Sequence, residues 1–143
     1  MVRIERFKKE ENPEFAEMAF SIRRHVFVYE HNVDPELEYD EYESSAWHYL
    51  LFKDEQPVAT ARWRETDNGI KLERFATLTE YRNKGLGAVI LKRVIADVLL
   101  LSKPIYLHSQ IKALSFYERF GFVKEGNIFI EADIQHYMMK YKG

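Results

Sequence analysis

The sequence predicts one α+β domain: a central, mostly antiparallel sheet with one parallel strand pair and helices on both faces. Apolar, strand-like segments at Trp47–Lys53, 58–64 and 70–78 are joined by the turn signals Asp54-Glu55-Gln56-Pro57 and Asp67-Asn68-Gly69. Strands linked by such short turns form an antiparallel meander. A strand at 72–78, a helix at 85–101 and a strand at Ile105–Gln110 then follow in order. Strand, helix, strand at that spacing implies a parallel pair with a right-handed crossover. With 143 residues the chain can bury one core, and it shows no repeat, linker or low-complexity tract.

Each element has its own signal. Val2–Phe7 alternates apolar and polar residues and reads as a first strand. Asn12 can cap a helix with Pro13 in its first turn, and Phe15, Met18, Ala19, Ile22 and Val26 continue it at helical spacing. Residues 32–40, with Pro35, read as loop or short helix. The helix at 85–101 carries charge only at Lys92, Arg93 and Asp97, so most of its circumference should be buried. Arg93 and Asp97 are spaced to pair across one turn. After Pro104 and the next strand, Ala113, Phe116, Tyr117 and Phe120 form the stripe of a short helix that Gly121 stops. Residues 122–124 and Ile134–Tyr141 should close the sheet as an antiparallel pair.

Composition narrows the function classes. Apolar residues make up 46% and charged residues 31%, ordinary values for a globular protein, and the formal charge of −2 argues against non-specific nucleic-acid binding. The absence of cysteine excludes disulfides, thiolate catalysis and Cys-based metal sites, and it fits a reducing compartment. Residues 1–6 lack the apolar core of a signal peptide, and the most apolar run, at 88–101, is broken by charge, so no membrane span is expected. The expected location is therefore cytoplasmic. The five histidines show no metal-ligand spacing, and the acidic run at 36–43 fails as a calcium loop because of Pro35 and Tyr39. The 15% aromatic content is compatible with a homodimer.

The chemistry centres on the loop Arg82-Asn83-Lys84-Gly85-Leu86-Gly87-Ala88. Gly85 and Gly87 let the backbone turn tightly and approach a ligand. The helix starts at once, so its first N–H groups are unpaired and, with the positive end of the dipole, suit a phosphate. Arg82 and Lys84 add positive charge. A P-loop would need Lys-Ser/Thr after its last glycine, and a dinucleotide fingerprint a third glycine where Ile90 stands. The remaining pattern, Arg-x-x-Gly-x-Gly after an apolar strand, resembles the GNAT superfamily of N-acetyltransferases. Residues 110–122 look like that superfamily's second signature, Asn-x-x-Ala-x-x-x-Tyr-x-x-x-Gly-Phe, with Gln110 at the Asn position. Residues 22–30, the acidic run and His48 are similar to the small bacterial ElaA/YjcF-like group. The resemblance covers most of the chain, in order.

The resemblance implies a GNAT-like acyl-CoA N-acyltransferase fold whose parallel strands splay apart at their C-terminal ends. Acetyl-CoA would be the co-substrate and an amine the acceptor. The pantetheine arm would pair with the backbone of Phe75, Ala76 and Thr77 by strand addition. The loop at 82–88 would take the pyrophosphate, with Asn83 tolerating a left-handed backbone where the family often has glycine. Tyr117 stands at the family's general-acid position. A thiol is more acidic than a phenol by roughly 1.5 units, so protonating the leaving thiolate needs a shared proton. Without the resemblance, Tyr117 reads as a core residue on the stripe of Phe116 and Phe120.

For the base, Glu73 lies on the strand that bears a catalytic carboxylate in some relatives, but it could instead face solvent or pair with Arg74. His108 and a water relay are the other candidates. Gln110 either holds the coenzyme amide or caps the next helix. Arg23, Arg24 and His48 would line the acceptor pocket. The acidic run either attracts a cationic amine or is a solvated loop. A non-catalytic coenzyme-binding sensor, or an unrelated phosphate-binding module, would share the loop; release of free thiol with an amine separates enzyme from sensor.

Overall fold

The computed structural model describes residues 1–143, apart from the side chains of Glu36 and Leu37. Strands β2 (Trp47–Lys53), β3 (Gln56–Thr66) and β4 (Gly69–Thr77) form the antiparallel meander, and β1 (Val2–Phe7) pairs antiparallel with β2 at its edge. Two-residue turns make the hairpins. Asp54 and Glu55 both take positive φ between β2 and β3. At the next corner Gly69 has φ 128°, and a Cβ there would lie 2.3 Å from the Pro104 carbonyl oxygen, which accepts a 2.7 Å hydrogen bond from Ile70 N–H. Only glycine allows that approach.

Helix α1 (Pro13–Arg23) starts at Asn12, whose Oδ1 accepts from Phe15 N–H at 3.0 Å, and continues as a π-helical segment, Arg24–Glu30. Helix α2 (Pro35–Glu38) is the short helix within 32–40. Helix α3 (Leu86–Leu99) crosses from β4 to β5 (Ile105–Gln110), and α4 (Leu114–Glu118) follows a 3₁₀ turn at Ile111–Ala113. Strands β6 (Phe122–Glu131) and β7 (Ile134–Tyr141) complete a sheet of order β1-β2-β3-β4-β5-β7-β6. β6 is longer than the three residues predicted. Gly126 and Asn127 are turn formers, but here Gly126 takes φ 80° within a register shift between Glu125 and Phe129. The turn instead falls at Ala132-Asp133, both at positive φ.

Apolar residues cover both faces of the sheet. Ile90, Leu91, Val94, Ile95 and Val98 of α3 pack with Tyr49, Ala61, Leu72, Leu107 and Met139 on one face. Ala16, Ala19 and Ile22 of α1 pack with Phe7, Leu50, Phe52 and Ala76 on the other. Among the described residues no helix is long and apolar enough to cross a membrane.

The feature that positions the site is the junction of β4 and β5, the parallel pair. Their ladder holds Ile70↔Ile105, Lys71↔Tyr106 and Leu72↔Leu107 and then stops, although β4 runs on to Thr77 and β5 to Gln110. A β-bulge explains the parting. Opposite β3 the register jumps from Arg62↔Glu73 to Thr60↔Ala76, and Arg74 takes φ 61°. A bulge bends its strand and ends regular pairing.

Candidate active site

Where β4 and β5 part, a cavity of about 390 Å³ opens, with walls that include Phe75, Leu107, His108, Gln110 and Tyr117. The strand period decides which groups face which side. Leu72 and Leu107 belong to the core under α3. Their neighbours Lys71, Glu73 and His108 therefore face the opposite side of the sheet. Tyr117 packs against the α3-side core, in edge contact with Phe75 (6.0 Å) and Phe122 (5.9 Å). The slot is thus bordered by a phenol from one face and by titratable groups from the other.

Among the described residues no hydrogen bond takes the Tyr117 hydroxyl, and burial pushes its pKa up, so it stays protonated near neutrality. The Gln110 amide nitrogen lies 3.4 Å from His31 Nδ1, and Lys112 Nζ lies 3.1 Å from His31 Nε2. No side-chain cap comes from Gln110 to the following turn, which removes the capping alternative. His31 also lines the cavity, and its pKa is lowered by burial and then by the Lys112 charge. No motif spacing pointed to His31; the π-helical turn that carries it across to β5 is visible only in the fold.

The loop before α3 has the geometry of an anion cradle. Gly85 is the cap residue at φ 78°, no side chain caps the helix, and the space beyond a Gly85 Cβ is open. A Cβ on Gly87 would touch the Phe116 ring at 3.6 Å, so the loop lies close against α4. Asn83 takes φ 61°. The helical ladder begins with Val89 N–H to Gly85 C=O at 3.2 Å, which leaves the amides of Leu86, Gly87 and Ala88 to face a ligand. Lys84 is exposed. Arg82 is already engaged: its Nε donates to the Thr77 carbonyl at 2.8 Å, and its guanidinium grips Glu30 at 2.8 and 2.7 Å. The Glu30 carboxyl is held below its ordinary pKa by Arg82. Phe75 lines the cleft and Ala76 packs against the α1-side core. Beyond Leu72 the β4 edge has no partner on β5, so the chain offers both a free strand edge and an anion cradle, as a pantetheine arm and its pyrophosphate require.

Three carboxylates of the acidic run, Glu38, Asp40 and Glu43, turn inward rather than to solvent. Glu38 and Glu43 are buried and, with Asp40, meet arginines from α1, β3 and β4. Arg23 hydrogen-bonds both Glu43 oxygens at 2.9 and 2.8 Å and pairs with Glu38. Arg62, fully buried, takes Asp40 through two bonds (2.9 and 2.6 Å) and reaches Glu43 (2.8 Å) and Glu73 (2.9 Å). Arg74 reaches Glu38 (3.3 Å) and Asp40 (3.1 Å).

Glu73 is buried in the same network, with Arg64 at 2.7 Å and Lys71 at 3.4 Å as further partners. Burial alone would raise its pKa, but the charges of Arg62, Lys71, Arg74 and Arg64 outweigh it and hold the carboxyl below its ordinary value. A carboxylate so held is a poor proton acceptor. Neither Arg24 nor His48 is in the cavity wall. Arg24 lies half-exposed near Glu17, at 3.9 Å. His48 is buried on β2, stacked on Phe7, with Nε2 2.8 Å from the Glu43 carbonyl oxygen. Arg23 serves the ion network.

Comparison with known proteins agrees with this geometry. The family model described as an acetyltransferase (GNAT) domain matches residues 7–142. The chain is 36% identical over 132 residues to the uncharacterized N-acetyltransferase YjcF of Bacillus subtilis, covering 90% of this chain and 93% of the relative. Crystal structures of other proteins share its fold. Escherichia coli ElaA superposes with TM-score 0.89 at 23% identity, covering 99% of this chain and 100% of its own. An acyl-CoA N-acyltransferase from Pseudomonas aeruginosa gives TM-score 0.88 at 24% identity, with 99% of each chain covered. The splayed parallel pair, the glycine loop at the start of α3 and the family match across nearly the whole length together place this chain in the GNAT acetyltransferase family.

Proposed function

We propose that this acyl-CoA-dependent acetyltransferase moves an acetyl group from acetyl-CoA to a primary amine of a small molecule or peptide, with Tyr117 as general acid. The observation that carries the reading is the free β4 edge, which runs from a cleft lined by Tyr117 towards the anion cradle at Gly85–Ala88. When bound, acetyl-CoA supplies an activated thioester carbonyl. The β4 edge positions the arm, the α3 amides and Lys84 hold the diphosphate, and Tyr117 delivers a proton to the departing sulfur. The apolar ring contacts around Tyr117 and its burial raise the phenol pKa, so the proton reaches sulfur only through a direct hydrogen bond to the departing thiolate. The deciding test is thiol release from acetyl-CoA with spermidine, glucosamine and a short peptide as acceptors. Thiol release above the no-amine blank supports transfer; coenzyme binding without release from any acceptor overturns it.

Arg82 gives a second check. It must leave Glu30 to meet a diphosphate, so the two anions compete for one guanidinium. Arg82→Ala is expected to weaken coenzyme A binding about tenfold by calorimetry, the scale of one charge-assisted hydrogen bond after that competition. Glu30→Gln is expected to tighten binding. A weaker Glu30→Gln variant would show that Glu30 supports the loop rather than competing with the ligand.

A further inference from the structure

On the side of the slot opposite Tyr117, one histidine is arranged to accept a proton. His108 Nδ1 lies 3.1 Å from Glu131 Oε1, and the ring is fixed by an edge contact with Phe129 at 4.9 Å. Glu131 is approached from the far side by His136 Nε2 at 3.8 Å, while His136 Nδ1 lies 2.7 Å from the Ile134 carbonyl oxygen. His108, Glu131 and His136 all line the cavity. A carboxylate only accepts, so the proton of a neutral His108 sits on Nδ1 and the lone pair on Nε2. Among the described residues nothing is hydrogen-bonded to that Nε2. Glu131 itself is held at about 2 by its bond to His108, against some burial, and so is ionised under all ordinary conditions. The groups that face His108 are Glu131 from β6, His136 from β7, Tyr106 from its own strand, and Lys71 and Glu73 from β4.

We propose that His108 is the general base, its Nε2 taking the proton from the acceptor amine, and that Glu131 is the positioning residue that fixes the imidazole. This rests on the acetyl-transfer reading above. The acceptor nitrogen forms its bond to the acetyl carbon, and the carbon–sulfur bond breaks with its electron pair on sulfur. One N–H proton passes to His108 Nε2 and the Tyr117 proton passes to sulfur; solvent then returns a proton to Tyr117 and removes one from His108. Base and acid stand on opposite faces of the sheet, so neither has to cross the slot. Glu73, held by cations, is left to order the network beside it.

The test uses the full chain with whichever of the amines named above gives the fastest thiol release. In the wild type, kcat should rise with pH through a limb set by His108. His108→Asn should lower kcat about a hundredfold or more and abolish the limb, with coenzyme A affinity unchanged. Glu131→Ala should lower kcat about tenfold, because the carboxylate that fixes the imidazole ring is gone. Nitrogen NMR of the labelled chain gives a readout independent of turnover: neutral His108 should carry its proton on Nδ1 in the wild type and on Nε2 in Glu131→Ala. Glu131→Gln, which can still accept from Nδ1, should restore the tautomer. A His108→Asn variant with wild-type kcat and limb, or a wild-type His108 protonated on Nε2 when neutral, overturns the assignment while transfer stands. A wild type that releases no thiol with any amine overturns both.

Discussion

Tyr117→Phe is expected to lower kcat about 10²- to 10³-fold while coenzyme A affinity and thermal stability stay close to wild type. The magnitude is that of losing one positioned proton donor. The phenylalanine keeps the edge contacts with Phe75, Phe116 and Phe122 that hold the ring in place. It removes only the hydroxyl, which has no hydrogen bond within the described residues. Folding therefore has little to lose, and the deficit should appear in turnover. Burial raises the pKa of this phenol, so the wild type should show no loss of activity from phenolate formation until well above the ordinary tyrosine range. Stopped turnover and calorimetry on both proteins check the split. Unchanged kcat would remove Tyr117 from the mechanism; a large fall in melting temperature would make it a packing residue.

Arg62→Met is expected to destabilise the fold by about 3–5 kcal/mol, the usual cost of stranding buried charges by removing their partner. For a domain of this size that corresponds to a fall in melting temperature on the order of 10 °C. Methionine fills much of the space but leaves Asp40, Glu43 and Glu73 facing one another with less positive charge between them. The pH dependence distinguishes this cause from lost packing. In the wild type burial pushes Asp40 and Glu43 up, but arginine contacts outweigh it and hold both at about 2, below their ordinary 3.8 and 4.5. Groups with depressed folded values stabilise above their unfolded pKa, and that contribution is lost as pH falls from about 4.5 towards 2. In the variant the stranded carboxylates should protonate at higher pH, which relieves their repulsion. The stability gap between the two proteins should therefore narrow between neutrality and pH 4, read by thermal melts across that range. A gap that stays constant would point to packing alone.

The site was legible where its chemistry is local. The Arg-x-x-Gly-x-Gly loop, the cap at Gly85 and the left-handed Asn83 follow from neighbouring residues and their backbone preferences. The residues around Tyr117 form one helical stripe, so its placement beside Phe116 and Phe120 could be read directly. The carboxylates of the acidic run could not be placed in this way. Their charge suggests solvent, yet Glu38 and Glu43 are buried because Arg23 and Arg62 come from a helix and a strand to neutralise them. His48 and Arg24 sit near the right elements in sequence, but neither lines the cleft.

By itself the sequence determined the strands Val2–Phe7, Trp47–Lys53, Ile105–Gln110 and Ile134–Tyr141, the crossover through α3 and the glycine loop that precedes it. Each depends on alternation, capping or turn chemistry within a few residues. Only the tertiary structure decided that Arg82 meets Glu30, that Glu73 is held by cations, and that His108 meets Glu131 across β7. A charge or a ring nitrogen is visible in the chain, but its proton affinity depends on what lies within a few ångströms. Here those neighbours come from strands and turns distant in sequence.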